Sequence, residues 1–100
     1  MTQYQKGYRF EVRTKKKYQK KGYTVFRQGK SAFPDLIVIK AGITFFIECK
    51  SHQKVPKNPI MLLTRDEREK AAELKHNTGC VFYLACRHPQ KPREIILVNV

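Results

Sequence analysis

The chain has 100 residues, a length that suits one domain (1–100), and its 41% hydrophobic content argues against disorder. Lys and Arg total 21 against 8 acids, a formal charge of +13, so a polyanionic partner is expected, with nucleic acid the leading candidate. No run approaches membrane-spanning length and the N-terminus carries no apolar signal core, so the expectation is a cytoplasmic protein, intracellular and either nucleoid-associated or viral, with no membrane partner.

Residues 7–21, GYRFEVRTKKKYQKK, lack an internal Gly or Pro and stop before Gly22, which predicts a helix. Phe10, Thr14 and Tyr18 recur at i, i+4 and i+8 and form its inward stripe, with Tyr8 and Val12 broadening it and Lys15, Lys16 and Lys20 outward. The helix is more cationic than packing needs, which suits a phosphate-facing surface. Residues 1–30 hold ten basic residues and a single acid, Glu11. That acid is either a surface partner of Lys15 at i+4 or part of a site.

A short strand is predicted over 23–28, then a loop over 29–34. Residues 33–50, FPDLIVIKAGITFFIECK, read as two apolar strands around a two-residue turn at Ala41-Gly42. With that turn, cross-strand partners sum to 83 and Asp35 faces Glu48. Opposed side chains share a face, as do side chains two apart on one strand, so Lys50 joins the two carboxylates. Leu36, Val38, Phe45, Ile47 and Cys49 point to the other face. Both faces are mostly apolar, which predicts a central hairpin.

Two carboxylates this close repel unless a cation or proton intervenes. Oxygen ligands on rigid strands with an ammonium beside them suit Mg²⁺, held between protein and a phosphate substrate. The alternative makes Asp35 a turn residue after Pro34, and Glu48 and Lys50 a surface ion pair.

Residues 51–62 contain Pro56 and Pro59 and no clear period, a loop carrying Lys54, Lys57 and His52. Thr64 and Glu67 form a capping box that opens a second helix, running to about Thr78 and closing at Gly79. Its few apolar positions leave one side wet. Two continuous apolar strands follow, 80–86 and 94–100. The order αβββαββ implies an α/β fold, a mixed sheet flanked by two helices with a parallel crossover through the second. Cys49, Cys80 and Cys86 lack metal-finger spacing and are expected as buried free thiols.

Pro34-Asp35 followed by Glu48-Cys49-Lys50 resembles the signature of the PD-(D/E)xK nuclease superfamily, in the setting of a preceding helix with an acid and a following helix and strand. The N-terminal half resembles most the archaeal-type Holliday junction resolvases, through Gly7 with Glu11, KKGYTVFR at 20–27, Ser31 before Asp35, and Glu48-Cys49-Lys50-Ser51. The resemblance implies a restriction-endonuclease-like sheet and a metal-dependent DNA endonuclease acting on branched or four-way DNA as a homodimer. It also implies roles. Asp35, Glu48 and the Cys49 backbone carbonyl would ligate Mg²⁺, with Mn²⁺ a substitute; Lys50 would orient or activate the attacking water; Glu11 would hold a second ion or a water. Arg27 and Ser31 match phosphate-contacting positions. Arg9, Arg13, Lys15, Lys16, Lys20, Lys30, Lys54 and Lys57 complete the expected DNA-binding set. Two other readings stand beside it: a related nuclease or nickase for single-stranded, flapped or foreign DNA, and a basic nucleic-acid-binding module without catalysis. Where family members usually carry aliphatic residues, this first helix has Thr14, Lys15 and Lys17.

Overall fold

The computed structural model describes residues 2–29 and 32–100, the side chain of Tyr4 excepted. In chain order they form α1 (Gln3–Lys20), β1 (Thr24–Arg27), β2 (Leu36–Lys40), β3 (Ile43–Cys49), a short 3₁₀ turn (Pro59–Leu62), α2 (Arg65–Thr78), β4 (Val81–Arg87) and β5 (Ile95–Asn99). This is the expected order αβββαββ, with the 3₁₀ turn inside the predicted loop. The sheet runs β1-β2-β3-β4-β5, antiparallel throughout except for the parallel β3–β4 pair that α2 connects.

Helix α1 starts four residues before the predicted Gly7, because Thr2 and Gln5 form a capping box that satisfies two otherwise orphaned amides. Phe10 and Tyr18 are buried as the stripe requires, whereas Tyr8 is 46% exposed. Thr14 is fully buried, and its hydroxyl answers the polarity problem by donating to the Phe10 carbonyl at 2.9 Å. Lys15, expected outward, is only partly exposed.

The hairpin has the predicted register: Leu36 pairs with Ile47, Ile37 with Phe46 and Lys40 with Ile43. Ala41 and Gly42 have φ of 50° and 79°, the left-handed pair that a two-residue turn needs to match strand twist. One face of the sheet packs Leu36, Val38, Phe45 and Ile47 against Phe10 and Tyr18 of α1. The opposite face packs Ile37, Phe46 and Phe82 against Ala71 and Leu74 of α2. Ala71 is the buried residue of α2, so that helix is held lightly and its outer side stays wet. Asp35, Glu48 and Lys50 share the parity of the α2 face.

Candidate active site

Asp35 lies just before β2 and Glu48 near the end of β3, so the hairpin register alone sets them opposite each other. Two hydrogen bonds lock the pair reciprocally. The Asp35 amide donates to Glu48 Oε1 at 3.1 Å, and the Cys49 amide donates to Asp35 Oδ2 at 2.9 Å. From the other side, the Gln28 amide donates to the Asp35 carbonyl at 2.9 Å, which ties the start of β2 to the end of β1. Each carboxylate is thus fixed by backbone, not by a long flexible side chain.

Lys50 Nζ stands 3.7 Å from Glu48 Oε2 and 2.8 Å from Glu67 Oε2 on α2. Glu48 is only 6% exposed. Burial, then repulsion from Asp35, pushes its carboxyl up from the ordinary 4.5 to about 9, against the pull of Lys50. Burial likewise raises Asp35, although the Cys49 amide opposes it. The pair therefore retains a proton near neutrality when no cation is present.

Glu11 approaches from the α1 face. Its Oε1 is 2.8 Å from Arg27 Nε, a close ion pair at a buried oxygen. Burial and the nearby Asp35 raise its pKa, and Arg27 lowers it in part. The Arg27 guanidinium also lies over the Tyr8 ring, 4.8 Å from its centroid. It is held between an acid and an aromatic face at the edge of the sheet.

Residues 2–100 match the model of the archaeal Holliday junction resolvase (Hjc) family. The chain belongs to that family. The resolvase family makes it a structure-selective nuclease that binds and resolves DNA junctions, an endonuclease of DNA recombination and repair. Among solved structures it resembles Hjc of the archaeal hyperthermophile Archaeoglobus fulgidus, described as a Holliday junction resolvase, at 23% identity and a TM-score of 0.76, over 94% of this chain and 72% of that one. That likeness is one of fold: the five-stranded mixed sheet between two helices is shared. A search of curated proteins by sequence gives no match.

Set against this resolvase frame, the predicted residues fall into three groups. Asp35, Glu48 and Lys50 converge as expected, with Cys49 between them supplying its amide. Glu11 is close enough to Asp35 to feel its charge but is paired with Arg27, and among the described residues no three Asp, Glu, His or Cys side chains gather as a ready metal cage. The predicted DNA-binding residues divide. Arg9, Lys16, Lys20, Lys54 and Lys57 are exposed. Arg13 is engaged with protein, donating to the Arg93 carbonyl at 2.8 Å, because α1 lies beside the start of β5. Lys30 and Ser31 lie outside the described residues.

Sequence reasoning missed five basic residues that line surface grooves, Lys6, Lys17, Lys21, Arg87 and Arg93. Lys6 joins Arg9 and Arg87 around a groove of about 390 Å³ beside the N-terminal half of α1. Lys17 and Lys21 join Lys16 and Lys20 around a larger one of about 650 Å³ bounded by Arg93. Lys17 donates to the Ile95 carbonyl at 2.7 Å, so it braces α1 against β5 rather than standing free. The larger miss is Glu67. Its capping role was legible, but its second oxygen, turned to Lys50, was not.

The raised acids make stability depend on pH in a definite direction. Folding strengthens proton binding at Glu48, so this contribution is complete below its unfolded value of 4.5 and is lost as pH rises through about 9. Thermal melting in a chelating buffer is expected to decline across that interval. Glu48→Gln, which cannot titrate, should flatten the decline; an equal decline in the variant would place the proton elsewhere.

Proposed function

We propose that this chain cleaves phosphodiester bonds of four-way DNA with Asp35 and Glu48 as ligands of one divalent cation, Mg²⁺ or Mn²⁺, and that it works as a homodimer. The observation that carries this reading is the reciprocal clamp of the two carboxylates, which spends backbone amides on holding two mutually repelling groups together. Residues that repel without a cation and are nonetheless fixed in place fit a cation. The donor set is hard oxygen, and two carboxylates without a full protein cage are what Mg²⁺ uses when substrate phosphate and water complete its shell. Glu11, near enough to Asp35 for each to raise the cost of the other's charge, adds to the same local need for positive charge.

The cation, when bound, supplies Lewis acidity at the scissile phosphate and neutralises charge there. The chain's own groups do the rest. Asp35 and Glu48 fix its place, with the Cys49 carbonyl at the strand end as a further donor. Lys50 brings a positive charge and hydrogen-bond donors to the attacking water and to the developing charge on phosphorus. Arg27, kept in place by Glu11 and Tyr8, offers its remaining N–H groups to a flanking phosphate. Glu11 thereby serves the site at least through Arg27, and toward a second ion where one binds. Each protomer carries one clamped carboxylate pair among the described residues, and resolving a junction takes two symmetric cuts, which is the reason for a dimer.

The decisive experiment incubates labelled four-way junction with Mg²⁺, beside linear duplex and single strand of the same sequences. Paired symmetric nicks on the junction, with little cutting of the controls, are expected. Comparable cutting of single-stranded or flapped DNA would favour the broader nuclease reading, and binding without cleavage in Mg²⁺ or Mn²⁺ would favour a basic binding module.

Affinity itself should come from backbone phosphates, since the exposed cations on α1 and the 51–62 loop are surface charges that attract phosphate without reading bases. Junction affinity should fall steeply with salt, and replacing Lys16 and Lys20 by Ala should flatten the log–log slope by roughly 0.9 for each duplex phosphate that is no longer neutralised. An unaltered slope, measured by fluorescence anisotropy, would mean that this side of α1 faces away from DNA.

A further inference from the structure

Glu67 occupies the third position of α2 and makes two hydrogen bonds with different purposes. Oε1 accepts from the Thr64 amide at 2.9 Å, closing the capping box. Oε2 accepts from Lys50 Nζ at 2.8 Å. The cap explains only the first. A capping box is satisfied equally by Gln at this position, and α1 of the same chain uses Gln5 there. The negative charge at 67 therefore answers to something other than the helix end.

What it answers to is the lysine. Lys50 Nζ is 3.7 Å from Glu48 but 2.8 Å from Glu67, so the ammonium is drawn toward α2 and away from the carboxylate pair. Without the Glu67 charge, the singly charged Asp35–Glu48 pair, with Glu48 Oε2 at 3.7 Å, is the nearest acidic partner left to Lys50 among the described residues. The ammonium would then close on Glu48 and compete with any divalent cation for the same oxygen. The first bond also matters to the second, because an oxygen fixed by the Thr64 amide leaves its twin little freedom, and it is this twin that Lys50 meets.

We propose that Glu67 is a positioning residue, which draws the Lys50 ammonium off Glu48 and so leaves the Asp35–Glu48 pair open to a divalent cation while keeping Lys50 at its edge. The proposal rests on the metal-site reading of Asp35 and Glu48. It makes the N-terminus of α2 part of the active site and gives a helix cap a catalytic consequence.

The test is a double-mutant cycle on the full chain with Mn²⁺ as the probe: wild type, Glu67→Gln, Lys50→Ala and the double variant, each titrated by calorimetry without DNA. Glu67→Gln keeps the cap, so its melting temperature should stay close to wild type. Its Mn²⁺ affinity should fall about tenfold when Lys50 is present and by less than about twofold when Lys50 is Ala, the non-additivity expected of groups that touch. Single-turnover junction cleavage at limiting Mn²⁺ should fall in parallel, with junction affinity unchanged or tighter. Thr64→Ala, which weakens the cap but keeps both charges, should lower the melting temperature more than Glu67→Gln does and Mn²⁺ affinity less. An equal loss of Mn²⁺ affinity in both Lys50 backgrounds, or none in either, overturns the positioning role. Unchanged Mn²⁺ binding by Glu48→Gln overturns the metal-site reading instead, and the role of Glu67 with it.

Discussion

Asp35→Asn and Glu48→Gln are each expected to reduce junction cleavage by on the order of 10³-fold, the scale seen when a fixed electrostatic group is removed from an active site. Each change keeps the size of the side chain and removes a carboxylate, so packing against β2, β3 and α2 is preserved. Junction binding should persist or tighten, because an acid has been taken out of a surface that meets phosphates. Stability gives an independent check. Two repelling acids, Glu48 buried and Asp35 half-buried, become one, so either variant should melt no lower than wild type in chelating buffer at high pH. Gel-based single-turnover cleavage with anisotropy binding separates chemistry from affinity. Cleavage within about tenfold of wild type in either variant would show that the clamped pair is not the catalytic centre, since that loss is far below the expected one.

The parts of this site legible in the sequence are those set by short-range periodicity. Alternation and a two-residue turn at Ala41-Gly42 are enough to put Asp35 opposite Glu48 and Lys50 beside them, and the parity rule also assigned Leu36, Val38, Phe45 and Ile47 to the other face. The α1 stripe was legible at Phe10, Thr14 and Tyr18 for the same reason, but the helix start was not, because Thr2-x-x-Gln5 is a capping box that the glycine at position 7 obscured. Contacts between distant elements were beyond reach. Nothing near position 67 says that a helix cap will face the strand end at Lys50, since that depends on how the 51–62 loop returns the chain to the sheet. Arg13 and Lys17 illustrate the same limit. Arg13 reads as a DNA-binding cation and Lys17 only as a polar residue where family members are aliphatic, yet both donate to carbonyls at the start of β5, more than seventy residues away in sequence. For Arg27 and Glu11 the residue types and order pointed to a site, while their mutual pairing appeared only when β1 was laid beside α1.

The hairpin geometry carries a last expectation, in which a larger-looking change is the milder one. Inserting one Gly between Ala41 and Gly42 lengthens a solvent-exposed turn to three residues, a common hairpin loop that a glycine in a left-handed conformation accommodates. Register between β2 and β3 can then be kept, and cleavage should stay within about tenfold of wild type, the cost of a small misplacement of the site being at most about a hundredfold. Deleting Cys49 acts at the strand end, where no turn can absorb it. Residue 50 would move into the place of Cys49, whose amide now holds Asp35 and whose side chain belongs to the α1-facing core. The lysine would leave the face it shares with Glu48 and Glu67 and point toward buried apolar side chains, the outcome of any one-residue slip. A backbone amide still faces Asp35 at that place, so the loss is that of the ammonium, and cleavage should fall by on the order of 10³-fold, as for removal of a fixed electrostatic group. Circular dichroism and thermal melting establish that both variants fold. Should the deletion prevent folding, Lys50→Ala isolates the contribution of the ammonium and should show the same loss of cleavage with junction binding retained. A folded deletion variant that cuts junctions at the wild-type rate would mean that Glu48 and Lys50 do not work from one face of one strand.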